Sequence, residues 1–113
     1  MTDKTIEYSD FEKIKMATGT ILEVKINAKA RKPSYIIKID FGPKIGIKTS
    51  SAQITNYSIE ELIDKQIIGV INLKKKYIAG IKSEVLILGA VSKDDSILLL
   101  NADKNLINGL PIA

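Results

Sequence analysis

Alternating apolar and polar positions predict a chain built mainly of short β-strands. Between Thr18 and Asn27, leucine, valine and isoleucine alternate with charged and amide side chains, as is typical of a strand with one wet face. The same alternation predicts a second strand from Tyr35 to Phe41. Gly42 and Pro43 then break the pattern before Ile45–Lys48 resumes it, which indicates a hairpin.

Two later segments are almost continuously apolar. Ile67–Leu73 and Val85–Val91 are interrupted only by glycine and asparagine, so we expect central strands that are covered on both faces. A last short strand is predicted at Ile97–Leu100. Because a small barrel has one interior and the chain has no long amphipathic helix, we expect a second copy of the chain to cover the outer apolar faces. The prediction is a homodimer that buries parts of 67–73 or 85–97 and the C-terminal tail.

Helical signals are confined to single turns. Tyr8–Lys13 has Ser9 or Asp10 as a candidate N-cap, and Ser58 is followed three residues later by Glu61, which matches a capping box. Short turns are also predicted at 50–55 and 58–64. Five or more short strands with no long helical period predict an all-β fold, a small barrel or sandwich. The length of 113 residues predicts one domain over 1–113.

The composition argues against catalysis. The chain has no cysteine and no histidine, which excludes disulfides, thiolate chemistry and the commonest general base and metal ligand. The acidic pairs at 60–61 and 94–95 lie in segments with the character of solvated helix or loop. We therefore predict a protein that is not an enzyme and needs no cofactor.

The distribution of apolar residues also bears on location. The longest apolar stretch, Val85–Val91, falls far short of the roughly 20 residues that span a bilayer, so no membrane insertion is expected. Acidic residues precede any apolar run at the N-terminus, unlike in a signal peptide. We therefore expect a cytoplasmic protein.

Positive charge is concentrated in two segments. Residues 25–48 hold seven basic side chains against the single acid Asp40, and residues 65–82 hold five basic side chains and no acid, within a net charge of +4. Such segregation suits a surface that faces a polyanion. The alternative is that the lysines only keep an isoleucine-rich protein soluble.

Several motifs, in order along the chain, resemble those of one family. They are Asp10–Lys13, Thr18–Ile21, Ile39–Gly42, Ile47–Thr55 and Ile78–Gly89. Together they resemble the CsaA-type tRNA-binding-domain proteins over about residues 10–112.

This resemblance implies a five-stranded OB-fold barrel whose terminal extensions form a dimer. It also implies tRNA as a partner and, for the CsaA branch, chaperoning of unfolded or export-bound polypeptides. The chain departs from the family pattern at Lys15 and Ala17, where an acidic residue and an arginine are usual. It departs again at Leu73–Tyr77, where lysines replace a Pro and Arg-rich turn. Lysine keeps the charge without arginine's bidentate geometry, which favours contacts to phosphate over reading of base edges.

An OB-fold binds ligands in a groove across strands two and three, between the loop joining strands one and two and the loop joining strands four and five. The predicted RNA-binding residues carry positive charge, a small polar group or an aromatic ring: Lys29, Arg31, Lys32, Lys48, Asn72, Lys74, Lys75, Lys76, Tyr77, Lys82 and Ser83. The alternative interpretation of Tyr77 is that its ring packs on the barrel rim. Asn72, Lys82 and Ser83, with Glu84, have an alternative role in stabilising the turn around Gly80.

Two functional hypotheses remain open from the sequence. The first is a module that binds tRNA through cations and stacking. The second is a chaperone that holds extended polypeptides in apolar grooves, with RNA binding incidental.

Overall fold

The structure, a computed structural model, describes residues 4–113 and consists mainly of short strands. Two helices of a single turn lie among them, α1 (Tyr8–Glu12) and α2 (Ile59–Leu62). The strands are β1 (Met16–Ile26), β2 (Tyr35–Asp40), β3 (Ile47–Ala52), β4 (Gln66–Val70), β5 (Lys76–Ile78), β6 (Ile81–Ser83), β7 (Leu86–Ile87), β8 (Gly89–Val91) and β9 (Ile97–Leu99).

Five antiparallel strands form a nearly closed barrel. Their order is β3-β2-β1-β4-β7, and two hairpins, β5-β6 and β8-β9, stand beside this sheet. The free edge of β3 meets the segment before β7, where the Glu84 backbone N–H donates to Thr49 O at 2.8 Å. The Ser50 hydroxyl donates to Val85 O at 3.0 Å. These bonds satisfy part of the β3 edge, and the predicted all-β OB-fold barrel is confirmed.

The barrel interior follows the predicted alternation along β2 but departs from it along β1, where a register shift between Ile21 and Glu23 leaves Leu22 43% and Ile26 70% exposed. Ile21 and Ile37 have no exposed surface, and neither has Phe41 at the end of β2. A Cβ added to Gly19 or to Gly69 would lie 2.8 Å from the Phe41 ring, which is closer than van der Waals contact allows. The two glycines of β1 and β4 therefore leave the space that the ring occupies.

The C-terminal tail closes over β1. Thr18 donates its N–H to Leu110 O at 3.0 Å, and its carbonyl accepts from Gly109 N at 2.7 Å. The Thr18 hydroxyl donates to Ile107 O at 2.8 Å and accepts from Leu110 N at 3.0 Å. Since Thr18 is buried, these bonds satisfy polar groups that would otherwise be costly to bury.

The predicted helical turn at 50–55 is wrong. Ser50–Ala52 belongs to β3, because Ser50 pairs with Ile37 of β2 and its hydroxyl reaches Val85 O on the other side. The N-cap of α1 is Glu7, not Ser9 or Asp10. The Ser58 and Glu61 capping box is confirmed at the start of α2.

The two apolar runs are shorter strands than predicted. The strand in the first run ends at Val70, and the second run divides into β7 and β8, which pair with β4 and β9 respectively. Within the single chain neither run is covered on both faces, since Leu73 and Leu86 are each 50% exposed and Val91 is 69% exposed. The hairpin β5-β6 has no counterpart in the predicted elements.

Candidate functional site

The two basic segments of the sequence meet on one side of the barrel. Lys29 lies in the loop between β1 and β2, and its side chain reaches the tip of the β5-β6 hairpin. A Cβ built on Gly80 would lie 3.5 Å from Lys29 Cδ and 3.7 Å from its Nζ. The hairpin belongs to the connection between β4 and β7. The two loops that flank an OB-fold groove therefore approach each other here.

The Glu84 carboxylate brings together two lysines from distant parts of the chain. Its Oε2 lies 3.8 Å from Lys48 Nζ on β3 and 3.9 Å from Lys75 Nζ in the loop before β5. Its Oε1 accepts from Thr49 N at 3.3 Å, which fixes the carboxylate against the barrel. The Glu84 side chain is 20% exposed. One carboxylate thus holds two ammonium groups beside the closing edge of the barrel.

The β5-β6 hairpin has two chemically different faces. Tyr77 pairs with Lys82, while Lys76 pairs with Ser83, and directly opposite residues of an antiparallel pair share a face. Lys76 and Ser83 line a groove of about 380 Å³, so Tyr77 and Lys82 lie on the outer face. Tyr77 is 78% exposed. It does not pack on the barrel rim, which leaves its ring free to stack.

The groove behind the hairpin, called here the hairpin groove, combines apolar and polar side chains. The polar part consists of Ser51 and Ser83 with Glu84, Lys74 and Lys76. The Ser83 hydroxyl accepts from Ser51 N at 3.0 Å and keeps its own proton for donation. The apolar part is formed by Leu73, Ile78, Val85 and Leu86.

Asn72 has a structural role. Its Nδ2 donates to Lys13 O at 2.7 Å, and its Oδ1 accepts from Lys15 N at 2.9 Å. Both ends of the amide therefore fasten the segment between α1 and β1 to the end of β4. The RNA contact predicted for Asn72 stays a prediction beside this structural role.

The remaining predicted cations lie exposed on the same loops. Arg31 and Lys32 are on the β1-β2 loop, and Lys74 and Lys76 frame the start of β5. The structure therefore brings Lys29 to the hairpin tip and Lys48 to Lys75. It leaves Arg31 and Lys32 on the loop surface.

Lys38 is a further exposed cation that the predicted site did not include. It lies exposed on β2, directly opposite Glu23 of β1 and Thr49 of β3. Its position on the polar face of the strand between the two basic loops was the available signal. The hydrogen bond from Lys25, whose Nζ is 3.0 Å from Glu23 Oε1, lowers the pKa of the Glu23 carboxyl, with a smaller contribution from Lys38. The carboxylate therefore stays charged beside both lysines.

Two neighbouring serines hold the Asp94 carboxylate. Hydrogen bonds from the hydroxyls of Ser92 and Ser96 lower the pKa of Asp94 to about 2, so this carboxylate stays ionised in the turn between β8 and β9. Across residues 4–113, no three acidic side chains come close enough to hold a metal ion. In the same part of the chain, no helix has the length and apolar character needed to cross a membrane.

Comparison with known proteins gives a consistent family. Residues 16–111 match the family described as "Putative tRNA binding domain". The chain is 33% identical over 107 residues to the methionine–tRNA ligase of Pyrococcus horikoshii, which is 95% of this chain and 14% of that enzyme. The chain thus spans about a seventh of the length of such curated relatives.

Two solved structures agree over the whole fold. The CsaA chaperone protein from Picrophilus torridus is 50% identical with a TM-score of 0.92, covering 96% of this chain and 100% of its own. The chaperone CsaA from Bacillus anthracis is 40% identical with a TM-score of 0.91, covering 97% and 100%. The predicted family is confirmed: the chain belongs to the putative tRNA binding domain family and, within it, to the CsaA-type proteins.

Proposed function

We propose that this chain is a non-enzymatic module that binds tRNA through the basic face built by the β1-β2 loop, β3 and the β5-β6 hairpin. The observation that carries the proposal is the convergence of cations from separate elements. Lys29 reaches Gly80 at the hairpin tip, and Lys48 meets Lys75 at Glu84. Membership of a tRNA-binding family supports the same ligand.

The chemistry of this face suits phosphate more than base edges. Apart from Arg31 its cations are lysines, which act as point charges on flexible stems and lack the planar fork that recognises a base bidentately. We infer that the tRNA is held by its backbone and its shape. Fluorescence anisotropy with a labelled tRNA tests this: saturable binding is expected, and its absence at low salt would reject the proposal.

Removing the exposed ring of Tyr77 should weaken tRNA binding, whereas removing only its hydroxyl should not. A base stacked on an aromatic side chain contributes about 1–3 kcal/mol, so Tyr77→Ala should weaken binding about tenfold. Tyr77→Phe should bind as the native chain does, because the ring is kept. Equal binding by the alanine variant would show that the outer face of the hairpin does not contact RNA.

We also propose that the protein is a homodimer. Leu98 and Leu100 at the β9 end are 52% and 43% exposed, and Val91 of β8 is 69% exposed. A second copy of the chain would cover these exposed side chains. Light scattering at micromolar concentration should give twice the mass of 12.4 kDa, and the monomer mass would contradict the dimer.

A second function, binding of unfolded polypeptides, is favoured by one specific observation. Beyond the hairpin groove, a depression of about 390 Å³ runs between the end of β3 and the β7-β9 region. Ile54, Ile87 and Ile97 are among the side chains that line it, which suits apolar side chains of an extended polypeptide. The similarity to CsaA chaperone structures points the same way. We propose this role as an addition to tRNA binding, in the cytoplasm where tRNA is found, and with export-bound polypeptides as the client class.

A further inference from the structure

The hairpin groove places one carboxylate beside four lysines. Glu84 lines the groove together with Lys74 and Lys76, and its Oε2 is shared by Lys48 and Lys75. The four lysines together outweigh the single carboxylate and attract a phosphate, although the carboxylate itself repels it. A ligand that carries a hydrogen-bond donor next to its phosphate would engage both the lysines and the carboxylate.

Ribose supplies that donor. The 2′-hydroxyl of RNA donates and accepts hydrogen bonds, and DNA lacks it. Glu84 Oε1 accepts from Thr49 N, whereas Oε2 lies 3.8 and 3.9 Å from the two ammonium groups, which is beyond the usual length of a hydrogen bond. A carboxylate oxygen has lone pairs for more than one donor, so Oε2 can accept from a hydroxyl while the lysines hold the adjacent phosphate.

The rest of the groove fits a single unstacked nucleotide. Its volume of about 380 Å³ lies within the range of small-molecule pockets. Leu73, Ile78 and Leu86, each 42–50% exposed, offer an apolar surface to a base. The Ser83 hydroxyl, which accepts from Ser51 N at 3.0 Å, keeps its proton for a phosphate or sugar oxygen.

We propose that the hairpin groove is a ribonucleotide site in which Glu84 accepts the 2′-hydroxyl and thereby selects RNA over DNA. This proposal rests on the proposed tRNA binding, and it assigns to Glu84 a contact to the ligand in addition to its place in the barrel closure.

Single-stranded RNA, DNA and 2′-O-methyl RNA of one sequence test the proposal in anisotropy titrations against the native chain and Glu84→Gln. The glutamine can still accept from Thr49 N, but it replaces Oε2 by an amide donor. The native chain should prefer RNA over both other strands by about tenfold, the size expected for a hydrogen bond to a charged group. Glu84→Gln should bind DNA more tightly and bring the RNA to DNA ratio close to one.

Glu23→Gln is the matched control. Glu23 is also held by two lysines, Lys25 at 3.0 Å and Lys38 at 3.9 Å, but it lies on β1 outside the groove. The control makes the same change in charge and should alter RNA and DNA binding by equal factors. Thermal melting of both variants monitors folding.

The outcomes distinguish a failure of the proposed tRNA binding from a failure of the proposed role of Glu84. If the native chain binds neither tRNA nor the RNA strand, the proposed function fails. If it binds RNA, DNA and 2′-O-methyl RNA equally, tRNA binding stands and the role of Glu84 is overturned. The role is also overturned if Glu84→Gln leaves the RNA to DNA ratio unchanged, including the case in which it alters only the binding of a denatured polypeptide.

Discussion

Changing Lys74, Lys75 and Lys76 together to glutamate should weaken tRNA binding by more than about 100-fold, since each lysine that contacts phosphate releases counterions on binding. The three residues lead into β5, and Lys75 lies 3.9 Å from the Glu84 carboxylate. Reversal of their charge turns the attractive side of the groove into a repulsive one. Anisotropy titration with tRNA at fixed salt measures the effect.

A second charge-reversal variant controls for the change in net charge. Lys13, Lys93 and Lys104 are also exposed lysines, and they lie outside the β1-β2 loop, β3 and the β5-β6 hairpin. Their replacement by glutamate should weaken binding only a few-fold, through the overall field. Equal losses for the two variants would show that tRNA responds to net charge and not to this face.

The same pair of variants separates the two proposed functions. Apolar contacts respond weakly to charge and salt, so suppression of aggregation of a denatured client should be nearly unchanged in both. If the change at 74–76 abolishes client binding along with tRNA binding, the two ligands share one site, and a separate apolar site is contradicted.

Replacing Phe41 by alanine should lower the free energy of unfolding by about 3–5 kcal/mol, as large-to-small changes of buried aromatic side chains do. Phe41 is fully buried, and Gly19 and Gly69 are fitted around its ring. Small domains have a total stability of about 5–15 kcal/mol, so the variant should be close to unfolding. Urea denaturation at 25 °C measures the loss.

Tyr77→Ala is the matched control for this change, because it removes a ring that is 78% exposed. Its stability should stay within about 0.5 kcal/mol of the native chain. A loss below about 1 kcal/mol for Phe41→Ala would contradict the packing of β1, β2 and β4 around this side chain.

The strands of the barrel could be predicted where local pattern and final environment agree. Residues 35–41 alternate because one face of β2 is buried, so the periodicity located this strand. The alternation at 18–27 also marked a strand, but a register shift between Ile21 and Glu23 leaves Leu22 and Ile26 of β1 exposed. Ser50 is different, since it is a polar residue with 1% of its surface exposed. Its burial depends on the bond from its hydroxyl to Val85 O, a partner 35 residues away that no local window contains.

The β5-β6 hairpin is a second feature that the local sequence did not predict. Its tip places Ala79 at φ 47° and Gly80 at φ 83°, a turn with both central residues in the left-handed region that usually contains Asn or Gly. The segment from Lys74 to Tyr77 is polar and does not alternate with apolar residues. Its charge therefore predicted a binding site, but its pattern did not predict a strand.

The candidate site was predicted largely from charge, and the structure adds the contacts that each side chain makes. Lys29, Lys48 and Lys75 were identified from basic segments that fold onto one side. Asn72 was included for its chemistry, yet its amide serves Lys13 and Lys15, which lie 57 or more positions earlier. The structural role of an amide is recognised from long-range hydrogen bonds of this kind, which a local sequence pattern does not show.

The salt dependence of tRNA binding tests the central claim most directly. If the basic face holds tRNA by its phosphates, the logarithm of the association constant should fall linearly with the logarithm of salt concentration. The slope should be steeper than about −3, which corresponds to roughly four or more neutralised phosphates. A slope between zero and about −1 would contradict the account, because fewer than about two phosphates would then be contacted.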